Sequence, residues 1–511
     1  MVSQTYLAIF KSYKVIFIAL TLLLFLLPFP VIMHAQEFPT VFIPHFSGTI
    51  PFEQTGIFWF GQVTSTLNYA DVRVGYNDQE LYLYFAVFDR RLWHDQTPTA
   101  AELTQWDALR LYIDTTPESD LLDSSTYRFT AQFNGGGAQT SYQESARGDG
   151  TGFSVIPIQF TTLPGWRGDA INNAGDDRGW AMTYRIPFAS LNLPAPAADT
   201  LWRAGVELFD RDDQSGTGIP VTVWPNGFAA LDPATWGNIT FSLPVYQPPT
   251  TSQDQTVIIR HKLNSVVSSD ASVGGGSVCG DGLDFWSEWG NKNYTNDPNI
   301  FIQNQSDVAD WPCFSKIYLT FPINLVPPGK VIKSASLTLH QFGNAGGTGE
   351  AQDSWVQVSE AASNWNESII SWNNAPQSQN NASYSWVAPI ITFPGWPGVA
   401  RTWDISWLLN KNYQAQLPLQ LVMYSVDSAY HSGKYFVSAD TGDWNETGRP
   451  TLTVTYGDPV ITADLDHNQK VNIFDAALLF INFGTSQFDL TGDGIVDTSD
   501  LKYLILNWSV F

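Results

Sequence analysis

Twelve residues near the C-terminus place oxygen where a hard cation could be wrapped. Asp464, Asp466, Asn468, Asn472 and Asp475 form one set, and Asp489, Thr491, Asp493, Asp497 and Asp500 form a second. In each set the side-chain oxygens fall at positions 1, 3, 5, 9 and 12 of a loop, and the main-chain carbonyl of Lys470 or Ile495 supplies position 7. Two such loops lie 25 residues apart (489 minus 464), a repetition that chance rarely gives. Calcium is the expected ion. It is also an expected folding requirement, because the carboxylates of each loop repel until a cation neutralises them and so short a segment has little core.

An apolar helical stretch follows each loop. Ala476, Leu479, Phe480 and Phe483 recur at helical spacing after the first, and Leu501, Leu504, Ile505 and Trp508 after the second. Position 12 is Asp rather than the Glu of an ordinary EF-hand, and only one helix follows each loop. This loop–helix duplication resembles a type I dockerin, which implies docking to a cohesin-bearing scaffold or surface protein. The chain departs from that pattern at Gln469, at Thr491 and in a shortened linker between the repeats.

The composition narrows the remaining choices. A net charge of −24 with only 25 Lys and Arg argues against nucleic acid, whose phosphates need basic patches. Aromatics make up 14% of the 511 residues, with 20 Trp, and Gly, Pro, Asn, Ser and Thr are frequent, as suits β-sandwiches. Lys11 and Lys14 precede an apolar run from Val15 to Met33, and a cleavage site is expected after Ala35. An uncleaved anchor is the alternative, and either reading places the chain outside the cell or on its surface. In that oxidising compartment Cys279 and Cys313, the only cysteines, are expected to form one disulfide.

Period-two alternation dominates after the leader, as in Leu81–Phe88, Ala108–Ile113 and Tyr127–Phe133, and no long helical periodicity is seen before the tail. Pro244 to Asp254 reads as a linker. The expected fold is therefore mainly β: a leader over 1–35, sandwiches (jelly-roll-like) over 37–243 and 256–456 joined by a linker over 244–255, and a small α-helical calcium module over 461–511.

Val72–Asp89, Trp106–Asp114 and Asp232–Ile239 together resemble a family 9 carbohydrate-binding module. That resemblance implies sugar held between aromatic rings, with polar side chains hydrogen-bonding the hydroxyls. Carried over residue by residue, Arg128 matches a basic contact, and Trp106 falls beside the first clamp position. Ala230 stands near the second clamp and Arg110 at a polar contact. Trp93, in the loop after Asp89, could substitute as a platform, whereas Trp224 and Trp236 read as core. In the second β region, Pro328–Leu339, Trp365–Pro376, Trp403–Ile405 and Arg449–Tyr456 resemble a DNRLRE-type sandwich, some relatives of which are regarded as carbohydrate-binding. Trp365 and Trp372 read there as a lock between sheets.

No hydrolase motif surrounds any carboxylate pair, and no nucleophile elbow or zinc-binding His pair occurs. Asp210–Asp213 reads as a solvated acidic turn. The expectation is an exported, non-catalytic carbohydrate-binding protein with calcium as cofactor and polysaccharide and a cohesin as partners. A surface or adhesion protein, a cryptic O-glycosyl hydrolase and a haem-binding sandwich are the alternatives.

Overall fold

A computed structural model describes residues 38–276, 279–306, 311–460, 463–466, 468, 470–491 and 493–508. The expected leader, and Gln469 in the first loop, lie outside the described residues.

Alternating apolar residues produce two sandwiches. In the first, Tyr69–Asn77, Glu80–Phe88 and Gly179–Pro187 form the centre of one sheet. Ala108–Asp114, Thr126–Gln132 and Leu201–Phe209 belong to the facing sheet. Val72, Leu83, Phe85 and Tyr184 from one sheet meet Leu109, Leu111, Phe129 and Val206 from the other in a single core. In the second sandwich, Ser315–Phe321, Ser354–Ala361 and Leu419–Ser425 face Val331–Asn344 and Thr451–Pro459 across Leu319, Val356, Leu337, Leu421 and Val454. The second half of the expected linker is already strand, since Thr251–Arg260 pairs with Thr451–Pro459. An α-helix at Ser406–Ala415 interrupts a region read as purely β.

The two sandwiches share a sheet. Thr40–Phe42 runs parallel to Gly237–Thr240 on one side and meets Asn380 of the second sandwich through Thr40 on the other. They also share an apolar seam, where Ile57, Trp59, Tyr69 and Phe88 pack against Trp289, Tyr318, Trp372 and Tyr424. Trp372 thus locks sandwich to sandwich rather than sheet to sheet. At the seam the Gly56–Gly61 strand pairs only with Tyr69–Asn77, which leaves its other edge open.

Amide side chains of the second sandwich satisfy that open edge and its neighbours, since each carries both a donor and an acceptor. Ile57 N–H donates to Gln357 Oε1 at 3.0 Å, while Gln357 Nε2 donates to the Ile57 carbonyl at 2.7 Å. Asn373 does the same for Val63 (2.8 and 2.9 Å), and Asn381 for Phe42 (2.7 and 2.9 Å). In the same seam the Lys316 ammonium lies 3.6 Å from the Trp372 ring centroid and 4.3 Å from that of Trp59. It donates to Tyr69 Oη at 2.5 Å, which in turn donates to Asp71 at 2.6 Å. Burial holds the Lys316 ammonium well below its usual titration range. A disulfide joins Cys279 and Cys313.

Candidate functional site

The tail loops fold as a near-repeat. Val471 and Val496, at the same place in each loop, are fully buried with Leu479 and Leu504 from the helices Ile473–Ile481 and Thr498–Leu506. The second loop bonds to the turn that follows the first helix, Gly484 N–H donating to the Val496 carbonyl and Val496 N–H to the Thr485 carbonyl. Carboxylate oxygens of Asp464, Asp466 and Asp475 converge within 4.8 Å, and so do those of Asp489, Asp493 and Asp500. Asp475 and Asp500, both fully buried, do two jobs. Each completes a capping box, accepting from the N–H of Asn472 or Asp497 at the helix start. Each also accepts N–H groups from its own loop: Leu465 and Asp466 in one case, Leu490 and Thr491 in the other. Burial raises the Asp500 carboxyl, but these hydrogen bonds outweigh it and hold the group below its ordinary value. Asn468 and Asn472 lie in the first loop, and Thr491 and Asp497 in the second, with all donors oxygen. The residues present fit a calcium ion.

In the first sandwich the residues expected to touch sugar are differently placed. Trp93 is 8% exposed and offers no ring face. Its main-chain N–H donates to buried Asp107 at 2.6 Å, which draws the loop inward. Trp106 is half-buried, and the Arg211 guanidinium covers its ring at 3.7 Å from the centroid. Arg128 faces outward from its strand but is paired with Glu144 at 2.7 Å. Beside it, Tyr112 donates to Glu207 at 2.7 Å and Arg110 lies over Phe209. The polar groups of this outer face are therefore already bonded to one another, and part of the face is covered by a small apolar cluster of Tyr112, Leu122, Phe228 and Trp236. Trp224 and Trp236 are core, each 1% exposed.

Exposed aromatic surface instead gathers on the second sandwich. Phe393, Trp396 and Trp444 are 56%, 47% and 69% exposed. Trp396 sits between the other two, with ring centroids 5.4 Å from Phe393 and 5.2 Å from Trp444, and it rests on Phe342 at 5.5 Å. Asp443, which pairs with Lys262 at 3.1 Å, borders the ridge with hydrogen-bonding groups. The sequence does contain a signal for it. Phe393-Pro-Gly-Trp396-Pro-Gly398 has too much Pro and Gly to be a strand, so its two rings must stand in a surface loop. A second aromatic hollow of about 250 Å³ lies where the Pro244–Tyr246 segment meets Trp355, Tyr384 and Trp407.

Residues 287–456, which include this ridge, match carbohydrate-binding module family 96. Three solved structures are similar in part. One is a candidate carbohydrate-binding protein from Bacteroides uniformis, 11% identical with a TM-score of 0.33, covering 40% of this chain and 100% of its own. Another is a family 9 carbohydrate-binding module from Caldicellulosiruptor kristjanssonii with cellotriose, 16% identical with a TM-score of 0.28, covering 41% and 100%. A family 9 module of the same organism with glucose is 14% identical with a TM-score of 0.28, covering 40% and 95%. Comparison with curated proteins finds no match.

Proposed function

We propose that the chain is an exported, non-catalytic carbohydrate-binding protein that holds polysaccharide on the second sandwich and docks through its calcium-loaded tail. The observation that carries this reading is the exposed Phe393–Trp396–Trp444 ridge inside the region matched to family 96. A pyranose ring offers an apolar C–H face to such rings while nearby polar groups take its hydroxyls. The tail supports the docking half. Ile473, Phe474, Phe480, Ile481, Ile505 and Leu506 are each more than half exposed, an apolar surface on a small module that calls for a protein partner such as a cohesin. Docking and sugar binding on one chain raise the local concentration of substrate near enzymes carried by neighbouring chains.

The test is retention of the full chain on cellulose, xylan, mannan, pectin and alginate. Retention on one polymer that falls at least about tenfold in Trp396→Ala and in Trp444→Ala is the expected result, since a lost stacking platform is worth about 1.4 kcal/mol or more. Absence of retention on every polymer would leave the sandwiches as spacers and sink the carbohydrate reading. Docking is checked separately, as co-elution with a cohesin-bearing scaffold protein that is abolished by chelator.

A further inference from the structure

The aromatic hollow of about 250 Å³ beside the Pro244–Tyr246 segment depends on both sandwiches and on the chain between them. Trp355 and Tyr384 come from the adjacent strands Ser354–Ala361 and Ser378–Val387 of the second sandwich. Their rings are nearly parallel, 16° apart with centroids at 5.7 Å, and form one wall. Trp407, in the first turn of the helix Ser406–Ala415, forms another. Phe42 of the first sandwich props that ring, the two packing edge to face at 5.2 Å. Asn381 donates to the Phe42 carbonyl at 2.9 Å and to Tyr384 Oη, so prop and wall are held to each other. Tyr246 Oη donates to the Ile332 carbonyl at 2.6 Å and pins the connecting segment.

The lining is apolar on its walls and polar at one place. Trp355, Tyr384 and Trp407 are each half-buried, which leaves part of every ring open. Asp404 also lines the hollow and is exposed. Its Oδ1 accepts from Ser406 N–H at 2.9 Å and from Ser406 Oγ at 2.5 Å, which fixes the direction of the carboxylate. Among the described residues its Oδ2 bonds to nothing. No Lys or Arg lines the hollow among the described residues. Aromatic walls suit the C–H face of a sugar, and an oriented carboxylate oxygen accepts strongly from a pair of hydroxyls. A wholly apolar ligand would strip water from Asp404 without replacing it, and an acidic sugar would be repelled by it. The volume is below that of sites for drug-sized ligands and so suits one sugar ring rather than a length of chain.

We propose that this hollow is a second glycan site, separate from the Phe393–Trp396–Trp444 ridge, and that it seats one ring of a neutral oligosaccharide. The assignment rests on the carbohydrate-binding reading of the chain. It goes beyond that reading in naming a different place, a charge preference and a dependence on the docked sandwiches. Junctions between domains are favoured positions for ligand sites, because walls from separate units close a recess that neither makes alone. The two sites differ in kind. The ridge offers rings to a polymer passing over an open surface, whereas the hollow grips a single ring between walls. Two unlike contacts on one chain hold a polymer longer than either would alone.

The experiment is calorimetric titration of the full-length chain with cellotriose, xylotriose and mannotriose, and with trigalacturonate as the acidic control. Wild type is expected to bind two equivalents of one neutral trisaccharide. A ridge variant, Trp396→Ala with Trp444→Ala, should keep one of them. Adding Asp404→Asn to that variant should weaken the remaining equivalent at least about tenfold, and adding Trp407→Ala should do the same. Asp404 is exposed and its replacement still accepts from Ser406, so Asp404→Asn tests the site without disturbing the fold. Binding that disappears altogether in the ridge variant would overturn this site and leave the ridge standing. An equivalent that neither Asp404→Asn nor Trp407→Ala weakens, or trigalacturonate bound as tightly as the neutral sugars, would overturn it as well. No binding of any trisaccharide or polymer by wild type would sink the carbohydrate reading, and this site with it.

Discussion

At the scale of single residues, burial decides which of the 20 tryptophans can meet a ligand. Trp93 and Trp444 differ widely in burial, at 8% and 69% exposure, and should respond oppositely to truncation. Trp93→Ala is expected to cost about 3–5 kcal/mol of stability through the cavity it leaves. Trp444→Ala should stay within about 0.5 kcal/mol while weakening glycan retention. Urea unfolding beside a retention assay reads both. Asp270 offers a test by pH. It is buried, accepting from Ser438 Oγ at 2.7 Å and Ala439 N–H at 2.6 Å, and burial pushes its carboxyl up to about 7. The same group titrates near 3.9 when unfolded, so the folded chain holds an extra proton between these values. Its contribution is complete below about pH 4 and is lost as pH rises to about 7. Asp270→Asn removes the charge; its Oδ1 can accept from Ala439 N–H while its Nδ2 donates to Ser438 Oγ, which reverses that one bond. The variant should therefore be more stable than wild type at pH 8 by an amount on the order of 1–3 kcal/mol, with the difference vanishing toward pH 4. A constant difference across pH would show that Asp270 is not the titrating group.

Individual elements differ in how far the sequence discloses them. Strands were legible where apolar and polar residues alternate, as Leu109, Leu111 and Ile113 do with Arg110 and Tyr112, although the fold buries Tyr112 as well, in a second small cluster on the other face. The helix Ser406–Ala415 was not, because its buried face carries Ser406 and Asn412 among Leu408, Leu409 and Tyr413. Those polar residues are satisfied by partners that no local window contains: Ala335 N–H donates to Ser406 Oγ, and Asn412 donates to Glu360. The seam was hidden for a related reason. Gln357 and Ser359 alternate with core Val356 and Val358 and so read as solvent-facing, yet the other sandwich covers them. The convergence of the tail-loop carboxylates was legible because their spacing is local; the cluster of Asp89, Asp107 and Asp210, whose oxygens also lie within 4.8 Å of one another, was not, because folding alone brings it together. At this scale the seam amides are testable. Gln357→Ala leaves the buried Ile57 N–H and C=O without partners and should cost about 2–5 kcal/mol in denaturant unfolding. In the tail, Asp475→Ala with Asp500→Ala removes both capping boxes and both position-12 ligands. Calcium should then fail to induce the helical circular-dichroism signal that wild-type tail residues 461–511 gain on binding.

For the whole molecule, a net charge of −24 sets the conditions under which ligands approach. Neutral polymers meet no barrier, whereas an acidic polymer is repelled at low ionic strength, so any retention on pectin or alginate should strengthen as salt is added. The shared sheet and seam make a second whole-molecule prediction. Calorimetry should show the two sandwiches melting in a single transition, with a calorimetric enthalpy equal to the van't Hoff value; two well-separated sandwich transitions would contradict the seam. Proteins of many domains commonly diversify by recombination at linkers, each module carried off intact. Here a break at the Pro244–Tyr246 segment would release a first sandwich with the Gly56–Gly61 edge bare of its amide caps, and bare edges pair with one another. The pair of sandwiches should accordingly pass between lineages as one heritable piece, and the exchangeable parts of this chain are its two ends.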